Sequence, residues 1–136
     1  MQLRLAALAA LLLHASAASA ACSVDVKPLA FGTIDVTETN DGTGEIVVDC
    51  DAATTFSVAV DTPGGKGRMI AGRSGLAYEL YQNAGRSIPW GSGSQERPGQ
   101  AAVDKPAKLT IYGLVPRQPS TPPGAYLDQL TITLRF

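Results

Sequence analysis

The sequence predicts an all-β sandwich of about six strands, with the covering of its apolar last strand left open. Three observations predict it. Apolar and polar residues alternate in short, β-branched runs, and no stretch sustains a helical period. Turn-forming residues separate these runs, drawn from 14 glycines and 9 prolines in 136 residues. The end of the chain, Leu130 to Phe136, alternates strictly, and its apolar face is expected to lack a following strand to cover it.

The elements follow in order. Arg4 starts a short positive region, Leu5 to Leu13 is apolar, and Ala15 to Ala20 are small residues. This is the layout of a secretory signal, too short for a membrane span of about 20 apolar residues. Cleavage is expected after Ala20, which divides the chain into a signal at 1–20 and one domain at 21–136. Cys22 to Phe31 reads as the first strand, interrupted at Pro28, and Asn40 to Gly44 reads as a turn. Glu45 to Cys50 and Thr55 to Asp61 are strands, and Pro63 to Gly67 is a turn. Arg68 to Ala71 reads as a short extra strand. Leu76 to Tyr81 is a strand with Leu76, Tyr78 and Leu80 facing inward, followed by a long loop through Trp90 to Pro106. Lys108 to Tyr112 is a strand, Pro116 to Gly124 a proline-rich loop, and Tyr126 to Phe136 the final element.

Composition excludes several functions. Lys+Arg number 11 and Asp+Glu 12, so no dense positive field exists to hold nucleic acid. The one histidine, His14, falls in the expected signal. The exported chain therefore lacks an imidazole base, which removes Ser-His-Asp, Cys-His and His-bearing zinc chemistry. No enzyme activity, no cofactor and no stable membrane insertion are expected.

Two cysteines, Cys22 and Cys50, remain. An even pair in an oxidising compartment is expected to bridge. Closing a loop of about 27 residues would contribute about 3.5 kcal/mol through the entropy of the unfolded chain. The alternative is a lipobox, with Cys22 acylated at a new N-terminus behind Ser19, Ala20 and Ala21; it would leave Cys50 without a partner.

Leu130, Ile132, Leu134 and Phe136 share one face of the last strand, and Thr131, Thr133 and Arg135 the other. Burying one such apolar side chain contributes roughly 1.5–3 kcal/mol, a large share of a domain stability of about 5–15 kcal/mol. An uncovered apolar strand is also a template for pairing with another chain. The expectation is strand addition from outside; the alternative is a complete sandwich whose loops cover the same face.

A family resemblance favours the first. Cys22 with Val24, then Leu29, Phe31 and Gly32, and Gly44 to Cys50 ending in Val-Asp-Cys resemble the spore coat protein U domain, which includes the pilins of archaic chaperone–usher pili. So do Phe56 to Asp61, Leu76 to Tyr81, Trp90-Gly91, Tyr112 to Pro116, and Gly124 to Asp128 before an aromatic end. The resemblance implies an immunoglobulin-like fold lacking its last strand, completed by a donor strand from a periplasmic chaperone and then from a neighbouring pilin subunit. It implies an outer-membrane usher, transit through the periplasm, and a place in a surface fibre supporting adhesion or biofilm. The acceptor groove would be lined by Leu130, Ile132, Leu134 and Phe136 opposite Val24 and Val26, with the Phe136 carboxylate held by the chaperone. Only Ala21 precedes Cys22 after the expected cleavage, so the subunit is expected to accept a strand and donate none, as at a fibre tip or in a minor position.

Other signals are weaker. Gly64-Gly65-Lys66-Gly67 lacks the Ser or Thr and the strand–loop–helix setting of a phosphate loop and reads as a turn. Asp35, Asp41, Asp49 and Asp51 match no calcium loop. Lys66, Arg68 and Arg73 read as a solvated basic face. Trp90 lies in a Gly/Ser-rich loop, either as a surface contact for a receptor or sugar or as an anchor packed on the sandwich. The rival functional reading is thus a self-contained secreted glycan- or surface-binding module, or a coat-associated structural protein.

Overall fold

A computed structural model describes residues 21–136; the expected signal and its cleavage point lie outside the described residues. Eight strands succeed one another: β1 (Cys22–Ala30), β2 (Asn40–Cys50), β3 (Thr54–Val60), β4 (Lys66–Ala71), β5 (Ser74–Tyr81), β6 (Arg97–Ala101), β7 (Ala107–Val115) and β8 (Ile132–Arg135). They form two antiparallel sheets. One has five strands in the order β1-β2-β7-β5-β4, the other three in the order β6-β3-β8. The fold is therefore the predicted all-β sandwich, with more strands than the six expected.

The core lies between the sheets and follows period-two alternation. Ile46, Val48 and Cys50 of β2, Phe56, Val58 and Val60 of β3, Leu76, Tyr78 and Leu80 of β5, and Leu109, Ile111 and Val115 of β7 are buried. Trp90 sits among them with no exposed surface, its Nε1–H donating to the Val58 carbonyl at 2.9 Å. The Arg97 guanidinium lies 5.2 Å from its ring centroid and donates to the Thr110 carbonyl at 2.8 Å. Of the two readings of Trp90, the packed anchor is the one the structure shows, and the surface-contact reading is corrected: the loop turns the indole inward, where the Val58 carbonyl takes up its one donor.

Three element boundaries differ from expectation for physical reasons. Asn40 to Gly44 is strand, not turn, because β7 continues opposite it from Val115 to Ile111. Its glycines make room for β1: a Cβ on Gly44 would stand 2.8 Å from the Lys27 carbonyl oxygen. β6 lies inside the segment expected to be a loop, hidden by Pro98 and Gly99, which edge strands tolerate. The last strand is shorter than Leu130 to Phe136. Thr131 is instead held by Asp61, whose carboxylate accepts from the Thr131 N–H at 2.8 Å.

Cys22 and Cys50 are directly opposite in the β1–β2 ladder and joined by a disulfide. This bond matters because β1 has little other support. Val24 and Val26 stand opposite the buried Val48 and Ile46, yet remain 45% and 40% exposed, since the narrower sheet does not reach over them. A Cys22→Ala/Cys50→Ala variant is expected to lose about 3.5 kcal/mol. Urea midpoints of the two proteins, measured without reductant, check this; coincident midpoints would contradict it.

The sheet edges are not equivalent. β1 carries Lys27 and Pro28, and β6 carries Pro98, which has no N–H to offer. β4 is bridged by Leu127, with Ile70 N–H donating to Leu127 O at 2.8 Å and Leu127 N–H to Ile70 O at 3.1 Å. β8 pairs with β3 on one side. Among the described residues no strand pairs with its other side, and it carries no proline, only the charge of Arg135 at its end.

Candidate functional site

Beside that open edge runs a groove of about 830 Å³. One wall is the end of β1 and the chain after it, from Val26 through Phe31 and Ile34 to Val36. The other is the chain leading into β8, from Thr121 through Tyr126 and Leu130 to Ile132. Between them lie Val60 of β3, Met69 of β4, Leu76, Tyr78 and Leu80 of β5, and Ile111 of β7. Native interiors hold few voids larger than a water molecule, roughly 30 Å³. The groove is far larger than such a void, and its lining is mostly apolar.

Both walls are fixed by hydrogen bonds. In the first, the Thr37 N–H and hydroxyl donate to Asp35 Oδ1 at 2.9 and 2.6 Å, and Asn40 Nδ2 donates to the Asp35 carbonyl at 2.7 Å. The two Thr37 bonds hold the Asp35 carboxyl below the usual carboxylate range. The Gln118 N–H then ties this wall to the proline-rich loop through the Val36 carbonyl at 2.8 Å. In the second wall, the Tyr126 hydroxyl donates to the Pro122 carbonyl at 2.6 Å.

One polar pair stands in the groove. The Tyr78 hydroxyl donates to Asp128 Oδ2 at 2.5 Å. The ring reaches Asp128 by crossing Gly67, directly opposite in the ladder, where a Cβ would stand 2.3 Å from the ring. Burial, then the hydrogen bond to Asp128 and the charges of Asp128 and Asp61, push the phenol far above its ordinary range. The unfolded phenol ionises near pH 10 while the folded one stays protonated. Stability from this pair is therefore complete below pH 10 and lost as pH rises above it. Denaturant midpoints between pH 8 and 12 are expected to fall steeply, and Tyr78→Phe to flatten that alkaline limb while costing about 1 kcal/mol at neutral pH. A variant whose limb is unchanged would refute the assignment. Tyr81, raised by its hydrogen bond to Glu79, supplies a smaller part that the variant keeps.

Of the residues named from sequence for the groove, Val26, Leu130 and Ile132 line it. Val24 is exposed beyond it, and Leu134 packs on the core. Phe136, 71% exposed, rests against Phe56 with ring centroids 6.2 Å apart. Sequence reasoning read Leu76, Tyr78 and Leu80 as core, which they are, and named one end of each wall, but missed Phe31, Ile34 and Tyr126 and the fact that the core residues form the groove floor. The readable sign was a bulky aromatic at 78 with glycine at 67, a pairing that lets a ring lie across a neighbouring strand. Among the described residues no group of His, Cys, Asp or Glu is placed to hold a metal ion, and no helix is long and apolar enough to cross a membrane.

Known proteins are similar in sequence and in shape. Protein U of Myxococcus xanthus is 28% identical over 127 residues, covering 79% of this chain and 71% of that protein. A chain in the crystal structure of a chaperone–tip adhesion subunit pre-assembly complex, from the archaic chaperone–usher Csu pili of Acinetobacter baumannii, superposes with a TM-score of 0.60. That match covers 87% of this chain but 40% of the other, at 16% identity, so it speaks to the fold. The profile of the Spore Coat Protein U domain matches residues 7–133. That match spans most of the chain, and the chain belongs to the Spore Coat Protein U domain family.

Proposed function

We propose that this chain is an exported structural subunit of a chaperone–usher type surface fibre, and that its groove accepts a β-strand from another protein. The observation that carries the reading is the coincidence of a β8 edge unpaired among the described residues with the 830 Å³ apolar groove. An incoming strand would pair its backbone with β8 and set alternate apolar side chains against Leu76, Tyr78, Leu80 and Ile111. The donor is first a periplasmic chaperone and then a neighbouring subunit, with an outer-membrane usher as the assembly gate. The segment at 1–20 would direct export, and the end state is the cell surface, in adhesion or biofilm. The role is structural rather than catalytic. A self-contained glycan-binding module built on Trp90 loses its basis, because that indole is enclosed.

The test is strand capture. The purified chain is mixed with a synthetic nine-residue peptide of alternating apolar and polar residues, and complex formation is followed by native electrophoresis. Capture is expected for the wild-type chain. Ile132→Lys, which sets a charge on the groove wall, should reduce it by at least tenfold, about 1.4 kcal/mol. Equal capture by both proteins would place the peptide elsewhere and end the reading.

A further inference from the structure

A second recess adjoins the groove at Thr121 and Pro122, formed by the β4–β5 turn and the proline-rich loop. It is an open cleft of about 410 Å³. Arg68 and Arg73 supply its charge, and Ser74, Ser120, Thr121 and Gln118 its neutral hydrogen-bonding groups. Pro119 and Pro122 add two flat apolar ring faces. No carboxylate lines it. Among the described residues neither arginine makes an ion pair. The nearest acid by ladder position is Glu79, opposite Lys66, and its carboxylate accepts the Tyr81 hydroxyl at 2.6 Å. In a chain with more acidic than basic residues, Lys66 to Arg73 holds three cations and no acid.

The cleft is built, not incidental. Arg68 folds across β5 where Gly75 leaves space: a Cβ at Gly75 would stand 1.9 Å from Arg68 Nε. The opposite wall is fixed by Gln118, whose side chain completes the ladder at Ala77. Its Oε1 accepts from the Ala77 N–H at 2.9 Å, and its Nε2 donates to the carbonyls of Ala77 at 2.9 Å and Pro116 at 3.0 Å.

We infer that the cleft formed by Arg68, Arg73, Ser74 and the Gln118–Pro122 loop binds the carboxylate or sulfate groups of an acidic polysaccharide. Guanidinium groups match planar or tetrahedral oxyanions through paired N–H donors. The hydroxyls of Ser74, Ser120 and Thr121 suit sugar hydroxyls, and the proline rings suit the apolar faces of a sugar ring. Two arginines are too few for nucleic acid, whose binding needs many phosphate contacts. No large apolar side chain in the cleft would enter a lipid surface. The cleft adjoins the groove through Thr121 and Pro122, but its arginines and Ser74 line only the cleft, so the inference does not rest on strand acceptance.

The test is a binding titration of the full exported chain with oligogalacturonate, dextran sulfate, neutral dextran and vesicles of anionic phospholipid. Oligogalacturonate or dextran sulfate is expected to bind and to weaken as salt is raised; neutral dextran and vesicles are not. Arg68→Gln/Arg73→Gln should weaken binding at least tenfold. Lys105→Gln/Lys108→Gln, which removes equal charge at exposed positions elsewhere, should leave it within twofold. Gly75→Ala keeps both charges but displaces the Arg68 guanidinium, so it should weaken binding severalfold with an unchanged melting temperature. Equal losses in the two double variants would reduce the effect to net charge and overturn the site. So would preferential binding to vesicles, or unchanged binding in Gly75→Ala.

Discussion

Appending a donor strand to the C-terminus, through a short flexible linker, is expected to raise the melting temperature by roughly 20 °C and yield a monomer. Each inward apolar residue of the added strand contributes roughly 1.5–3 kcal/mol when buried. The receiving side gains as well, because Leu29, Phe31, Leu130 and Ile132 are only partly buried. Ordering the tethered strand opposes this at about 1–2 kcal/mol per residue, and new ladder bonds at about 1 kcal/mol each offset much of that cost. A net gain near 5 kcal/mol corresponds to a shift of roughly 20 °C for a domain of this size. The check is calorimetry together with size-exclusion chromatography. Replacing two inward residues of the appended strand with aspartate should cancel the gain. A fusion that melts with the unmodified chain would show that the groove closes without outside help.

Trp90→Ala, studied in the fused monomer, is expected to cost about 5 kcal/mol. Removing a fully buried large side chain costs roughly 3–5 kcal/mol, and the Val58 carbonyl loses its donor at 2.9 Å, adding about 1–3 kcal/mol. Arg97 also loses the ring beneath it. Trp90→Phe separates the contributions: it keeps most of the bulk and should cost about half as much. Urea denaturation followed by far-ultraviolet circular dichroism measures both. If Trp90→Ala unfolded with the parent, the indole would not be the keystone its burial implies.

These two sites mark the limits of what the sequence discloses. Alternation identified the inward face of β5 at Leu76, Tyr78 and Leu80, because a half-buried strand writes its burial pattern into every second residue. The bridge was legible from cysteine count and compartment. The β6 strand was not, since Pro98 and Gly99 carry turn signals and its place is set by pairing with β3. Nor were the groove walls beyond Val26, Leu130 and Ile132. Val36, Gln118 and Tyr126 act through contacts between segments far apart in the chain, and no local pattern announces those. Trp90 shows the same limit from the other side. Glycine and serine neighbours suggest exposure, whereas the long-range bond to Val58 decides burial.

The covalent tie at the outer end of the first strand has a mechanical consequence. Because Cys22 faces Cys50 across the ladder, a pull applied at Ala21 cannot peel β1 away one hydrogen bond at a time from that end. Tension passes through the sulfurs into β2, which is flanked on both sides. Many bonds must then fail together, so the domain should resist stretching along this axis far better than its exposed first strand suggests.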